Sequence, residues 1–165
     1  FKVYRHTAEM DEATRQQFMH ERVALCAGLK EYLGSMVTAQ TLFISEHPLG
    51  DYQVVMARQP FVSGGRLDLF ATRTLDLCSA DIAAYCERQP TGQTQLTSLV
   101  EATFTGSDNA GLVPDLNGAD NFRLVGASED LHLIDAEPIS RAEHLGVHDH
   151  ILRQAEVLVA FIETA

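Results

Sequence analysis

Asn121 and Asp135 stand outside two short apolar runs, Phe122-Arg123-Leu124-Val125 and Leu131-His132-Leu133-Ile134, that flank Gly126 to Asp130. Runs of that type around a Gly-led turn predict a β-hairpin. Counting outward from a five-residue turn sets Val125 opposite Leu131, Leu124 opposite His132, Arg123 opposite Leu133 and Phe122 opposite Ile134. The next step places Asn121 opposite Asp135 at the open end. Opposed residues have Cα atoms about 4.5–5.5 Å apart, so an amide oxygen and a carboxylate would converge there. Asp115 and Asp120 lie on the loop just before them. Oxygen donors of this kind suit Mg2+, which takes one or two carboxylates and completes its shell with water and phosphate oxygens. The same polar residues could equally do no more than solvate the end of a hairpin, and spacing alone leaves both readings open.

Other groups compete for attention. His144 and His148 are one helical turn apart beside Asp149 and His150, a spacing that zinc could use and that a helix start facing water explains as well. His132 alternates with Leu131 and Leu133, as a strand-face residue does. Gly64-Gly65 lacks the glycine pattern of a phosphate-cradling loop and reads as a flexible connector. Cys26, Cys78 and Cys86 form no CxxC pair and are odd in number, which fits free, buried thiols and a cytoplasmic location better than a zinc site or a disulfide framework.

These groups are carried by 165 residues with a net charge of −11, about the length of one domain. An acidic surface repels phosphate backbones, which argues against nucleic acid and anionic membrane as partners. No apolar run approaches the ~20 residues of a membrane helix. Only Lys2 and Lys30 among the 12 Lys and Arg residues are lysines. The chain opens on Phe1-Lys2-Val3-Tyr4, mid-strand in character and without Met, as a fragment would.

The elements that must position the polar groups follow from periodicity. Phe1 to Tyr4 reads as a strand. Residues 9–33 read as a helix, with Phe18, Leu25, Leu29 and Tyr32 on one stripe and Glu21 falling on the same stripe. A carboxylate there wants a cation. Residues 36–46 and 52–57 read as strands around the turn His47-Pro48-Leu49-Gly50-Asp51, and 59–65 as a connector. Helices are expected over roughly 66–72, then 79–88 behind a Ser79 cap, then 93–104. Residues 106–120 read as loop, and 148–163 as an amphipathic helix. The class is α+β with two clusters of elements.

A lysine strand, a helix bearing Glu, a hairpin and a connector, followed by Asp115, Asn121 and Asp135, is an order that resembles the protein-kinase-like superfamily over residues 1–140. Phe1-Lys2-Val3-Tyr4 resembles the strand with the phosphate-contacting lysine, and Phe18-Met19-His20-Glu21 the helix whose Glu pairs with it. The run from Val54 through Met56, Ala57, Arg58 and Gln59 to Val62 resembles the strand entering the adenine-binding hinge. Pro114-Asp115-Leu116 with Asn121-Phe122 resembles the catalytic loop, and Leu133-Ile134-Asp135-Ala136-Glu137 the Asp-Phe-Gly segment. The departures are specific. Val113-Pro114 replace the usual His or Arg before the catalytic Asp, and Asn117 the common Lys or His. The Asp115-to-Asn121 spacing is one residue longer than the family's usual one, and Glu137 replaces a Gly. No glycine-rich phosphate loop and no Ala-Pro-Glu segment is visible, and about 30 residues follow Asp135.

The resemblance implies a partial small lobe over 1–62, with one helix, and a reduced, mainly helical large lobe over 63–165. It implies ATP and Mg2+ as cofactors. Lys2, oriented by Glu21, would contact phosphates; Met56, Arg58 and Gln59 would line the nucleotide site. Asn121 and Asp135 would hold the metal, with Glu137 a possible third carboxylate, and Asp115 would take the proton of the attacking hydroxyl. The implied activity is phosphoryl transfer to an unknown small-molecule or protein acceptor. The alternative is a catalytically silent module that binds nucleotide or a protein partner.

Overall fold

Leu42, Phe43 and Ile44 face Ala57, Met56 and Val55 across a turn, and branched and aromatic residues such as Phe43, Ile44 and Val55 favour a pleated sheet. They form the antiparallel pair β2 (Thr41–Glu46) and β3 (Gln53–Arg58), in register from Thr41↔Arg58 to Glu46↔Gln53. The other edge of β3 takes β1 (Lys2–Tyr4), with Lys2 opposite Ala57 and Tyr4 opposite Val55. The sheet order is therefore β1-β3-β2. Directly paired residues share a face, so Tyr4, Leu42, Ile44, Val55 and Ala57 point together and pack against Phe18 and Met19. The computed structural model describes residues 1–47, 49–117 and 120–164; Pro48 of the expected turn, and Gly118 and Ala119 of the expected loop, lie outside it.

Phe18 and Met19 belong to α1 (Glu12–Leu33), which Asp11 caps by accepting the Thr14 N–H at 2.8 Å. Further along α1, Leu29 and Leu33 enter the main core with α3 (Gly92–Ala110), the hairpin β6 (Phe122–Val125) and β7 (Asp130–Leu133), and α4 (Leu145–Thr164). One helix thus serves both apolar clusters across the boundary expected at residue 62. A second tie comes from Val37, which bridges to Leu133 while the Thr38 N–H donates to the Leu133 carbonyl at 3.1 Å. These ties bring the lysine strand beside the hairpin.

Several expectations need correction. The hairpin register is Phe122↔Leu133, Arg123↔His132, Leu124↔Leu131 and Val125↔Asp130, one residue from the expected pairing, so Asn121 does not stand opposite Asp135: its carbonyl accepts the Ile134 N–H at 2.7 Å. Phe122, Leu124, Leu131 and Leu133 are all buried, and only this register sends them to one face. Residues 66–72 are not helical. Gly65–Arg66 form a short strand, β4, against β6, and Leu67, Leu69 and Phe70 enter the core from an irregular segment. The next helix, α2, spans Ser79–Arg88, but its N-cap is Cys78 and no side chain caps it. Helix α3 continues to Ala110 and stops at Gly111, whose φ of +65° is left-handed. Gly106 inside it is no breaker: a Cβ there would stand 2.8 Å from the Leu112 carbonyl oxygen, so the glycine permits close approach. Leu112–Val113 (β5) pair with Ile139–Ser140 (β8) and so bracket the chain from Asp115 through Glu137.

The class is α+β, with small antiparallel sheets and four α-helices among the described residues. Among the same residues, no helix is long and apolar enough to cross a membrane.

Candidate functional site

The antiparallel β1–β3 pairing sets Lys2 beside Ala57, on the face turned toward α1 and the segment after β7. Its ammonium lies 3.4 Å from the Asp135 carboxylate, a contact between residues 133 positions apart, and also donates to Glu137. Lys2, Ala57, Gln59, Asn121, Ile134 and Asp135 line a cavity of about 310 Å3. Asn121 enters it from the residue just before β6. Its Nδ2 donates to the Asp115 carbonyl at 3.0 Å, which leaves the amide oxygen without a hydrogen bond among the described residues.

Glu137 is the hub of the charges behind that cavity. It accepts from Lys2 and from the Tyr4 hydroxyl at 3.2 Å, and its other oxygen lies 3.5 Å from Arg22. Arg22 also pairs with Glu143 and stacks over Phe18, 5.2 Å from the ring centroid. Burial alone lowers the pKa of Lys2, but the Glu137 hydrogen bond and the Asp135 charge outweigh it and hold the ammonium above the usual lysine value. Burial, reinforced by Glu137, pushes the Tyr4 phenol well up. Both groups therefore keep their protons at neutral pH.

The expected partner of Lys2 is not the observed one. Glu21 is exposed and accepts from Gln17 at 2.9 Å, while the stripe that packs carries Phe18 and then Arg22 four residues on. Of the three residues expected at the nucleotide site from the hinge strand, only Gln59 lines the cavity. Met56 is buried on the opposite face of β3, paired with Val3 and Phe43, and Arg58 is exposed on that same face. Ala57 takes the place they were expected to fill, as the two-residue alternation counted back from Gln59 would have indicated.

Asp115 does not line the Lys2 cavity. Its carboxylate accepts the Asn117 N–H at 2.9 Å and borders a second cavity of about 610 Å3. The histidines do not converge. His144 is exposed, His148 is fully buried with neither ring nitrogen hydrogen-bonded and its Nδ1 3.7 Å from the Asp149 carboxylate, and His150 borders the second cavity. Among the described residues, no group of three or more His, Cys, Asp or Glu side chains is placed to hold an ion. Arg22 escaped the sequence reading, although a cation four residues after an aromatic on the packed stripe was a usable signal. Cys26, Cys78 and Cys86 are free and partly buried.

No protein-family model, no curated protein and no solved structure matches the chain.

Proposed function

We propose that the chain is a Mg2+- and ATP-dependent phosphotransferase of protein-kinase-like fold. The observation that carries this reading is the meeting of Lys2 and Asp135 at 3.4 Å in a cavity that Asn121 also lines. Phosphoryl transfer needs charge neutralised and oxygens held in line more than it needs covalent help from the protein. A lysine, a carboxylate and a free amide oxygen at one cavity supply that, and the chain order of their elements is the one the resemblance implies.

The donors fit the metal. Asn121 Oδ1 and the Asp135 carboxylate are hard oxygens, and two such ligands suit a cation that keeps waters and phosphate oxygens in its shell. When bound, Mg2+ would neutralise charge on the terminal phosphates. Lys2 takes the phosphate oxygens, held in place by Glu137 in the role first expected of Glu21. Asp115 receives the proton of an acceptor hydroxyl as that oxygen bonds to the γ-phosphorus. The bond to the bridging oxygen breaks and its electron pair leaves on ADP. Asn121 links the two halves of the chemistry, because the side chain that offers the metal an oxygen also holds the Asp115 backbone.

A silent nucleotide-binding module is the second reading. Lys2, Glu137 and Arg22 already neutralise one another, which is what a retired site would also contain. ADP release from Mg·ATP separates the two. An enzyme loses at least ~100-fold of its turnover in Asp115→Asn, the scale of one general base, with Mg·ATP affinity unchanged. No turnover in the unaltered protein, with Mg·ATP bound, establishes the silent module.

A further inference from the structure

We propose that the second cavity receives the phosphate acceptor, and that the acceptor is a small alcohol carrying a carboxylate or phosphate group. The proposal rests on the phosphotransferase reading and names its substrate class. The cavity, about 610 Å3, is bordered by Asp115 and Asn117 of one loop, by Arg73 of the segment before α2, and by Gly146 and His150 of α4. That volume is in the range that holds a small molecule, with a few polar groups to orient it.

Those groups include a guanidinium that suits an anion and a carboxylate that suits a hydroxyl. Arg73 makes no ion pair among the described residues, and its φ of +60° is a left-handed conformation that a non-glycine residue adopts at a cost. His150 borders the same space, and its Nε2 is buried without a hydrogen-bond partner. The first turn of α4, a 20-residue helix, borders the same space, and helix N-termini favour negative charge. A Cβ added at Gly146 would meet nothing within 4 Å, so this side of the cavity is open. Asn117 is already engaged, its amide oxygen accepting from the buried Gln154, and it shapes the wall. On a chain of net charge −11, a guanidinium with no ion pair among the described residues, at the cavity that Asp115 also borders, offsets a field that otherwise repels anions. The hydroxyl end belongs to Asp115, which takes its proton as the oxygen bonds to the γ-phosphorus and ADP departs with the electron pair.

The test is calorimetric titration of the whole chain with glycerate, glycerol 3-phosphate and glucose 6-phosphate, each against its neutral counterpart glycerol or glucose. At least one anion is expected to bind ten or more times tighter than its neutral counterpart. Arg73→Gln is expected to weaken that anion at least tenfold while leaving Mg·ATP binding unchanged. Gly146→Leu, which fills the open side, is expected to remove it as well. Neutral alcohols binding as tightly as the anions, or Arg73→Gln binding as the unaltered chain does, overturns the cavity assignment. Transfer to a serine peptide but to none of these alcohols overturns it too. Anion binding in a protein with no affinity for Mg·ATP overturns the acceptor role through its parent reading, and is recognisable as such because the Arg73 dependence survives.

Discussion

The two cavities are joined by one hydrogen bond, Asn121 to the Asp115 carbonyl, yet their charges are arranged in opposite ways. Beside the first, Lys2, Asp135, Glu137 and Arg22 neutralise one another across elements more than a hundred residues apart. Beside the second, Arg73 and His150 lack such partners among the described residues. A closed set of pairs holds its geometry in the absence of ligand, and a ligand must exchange contacts with it. Groups left without partners gain theirs from whatever arrives. The difference suits a site for a charged cofactor next to a site that selects among acceptors.

The comparison breaks most severely at the residue shared by both sides. Asn121→Ala removes one oxygen donor from the first cavity and the tether of Asp115 at the second. Steady-state kinetics should show kcat/KM down by at least ~100-fold with Mg·ATP affinity also reduced, in contrast to Asp115→Asn, where affinity holds. Unchanged affinity in Asn121→Ala would confine the residue to the second side.

A smaller effect sharpens the account of Lys2. Glu137→Gln takes the charge from the common acceptor of Lys2, Tyr4 and Arg22, and denaturant unfolding should report a loss of about 1.5–3 kcal/mol, the scale of hydrogen bonds to charged groups. ATP affinity should fall with it. Glu21→Gln, on the exposed side of α1, should change stability by less than ~0.5 kcal/mol and affinity not at all. The reverse ranking would restore Glu21 as the partner of Lys2.

The smallest effect concerns His148, buried on α4. Burial, with the charge of Arg141, lowers its pKa below the ordinary value of 6.5, against the opposing pull of Asp149. The unfolded chain therefore binds the proton more readily than the folded one. The stability this histidine contributes is complete above pH 6.5 and is lost as pH falls toward the lowered folded value. His148→Gln should flatten the fall of folding stability over that window; an unchanged slope would show that other groups govern it.

Much of this arrangement was legible in the residues. Asn121 and Asp135 were singled out from the hairpin count, and Lys2 and Gln59 through the resemblance, and all four line one cavity. The hairpin was legible too, but its register slipped by one because Asp130 was counted as turn. Matching Leu124 to Leu131 and Phe122 to Leu133, apolar against apolar, would have found it. Glu21 was misplaced because the stripe was drawn through Phe18, Leu25, Leu29 and Tyr32, without the arginines. The residues of α1 that pack run Arg15, Phe18, Arg22, Leu29 and Leu33, and arginines read as surface until their partners are known. Gly106 resembled a helix breaker because its reason, the nearby Leu112 carbonyl, is a tertiary contact. The second cavity drew together residues from 73 to 150 that share no local pattern.

The most direct measurement is a thermal-shift titration of ATP, with and without Mg2+, on the unaltered chain and on Asp135→Ala. Ligand at ~100 Kd should stabilise the chain by about 2.7 kcal/mol, only with Mg2+ present, and the shift should vanish in Asp135→Ala while the variant still unfolds cooperatively. An equal shift in Asp135→Ala, or none in either protein, would contradict the assignment of the Lys2, Asn121 and Asp135 cavity to Mg·ATP.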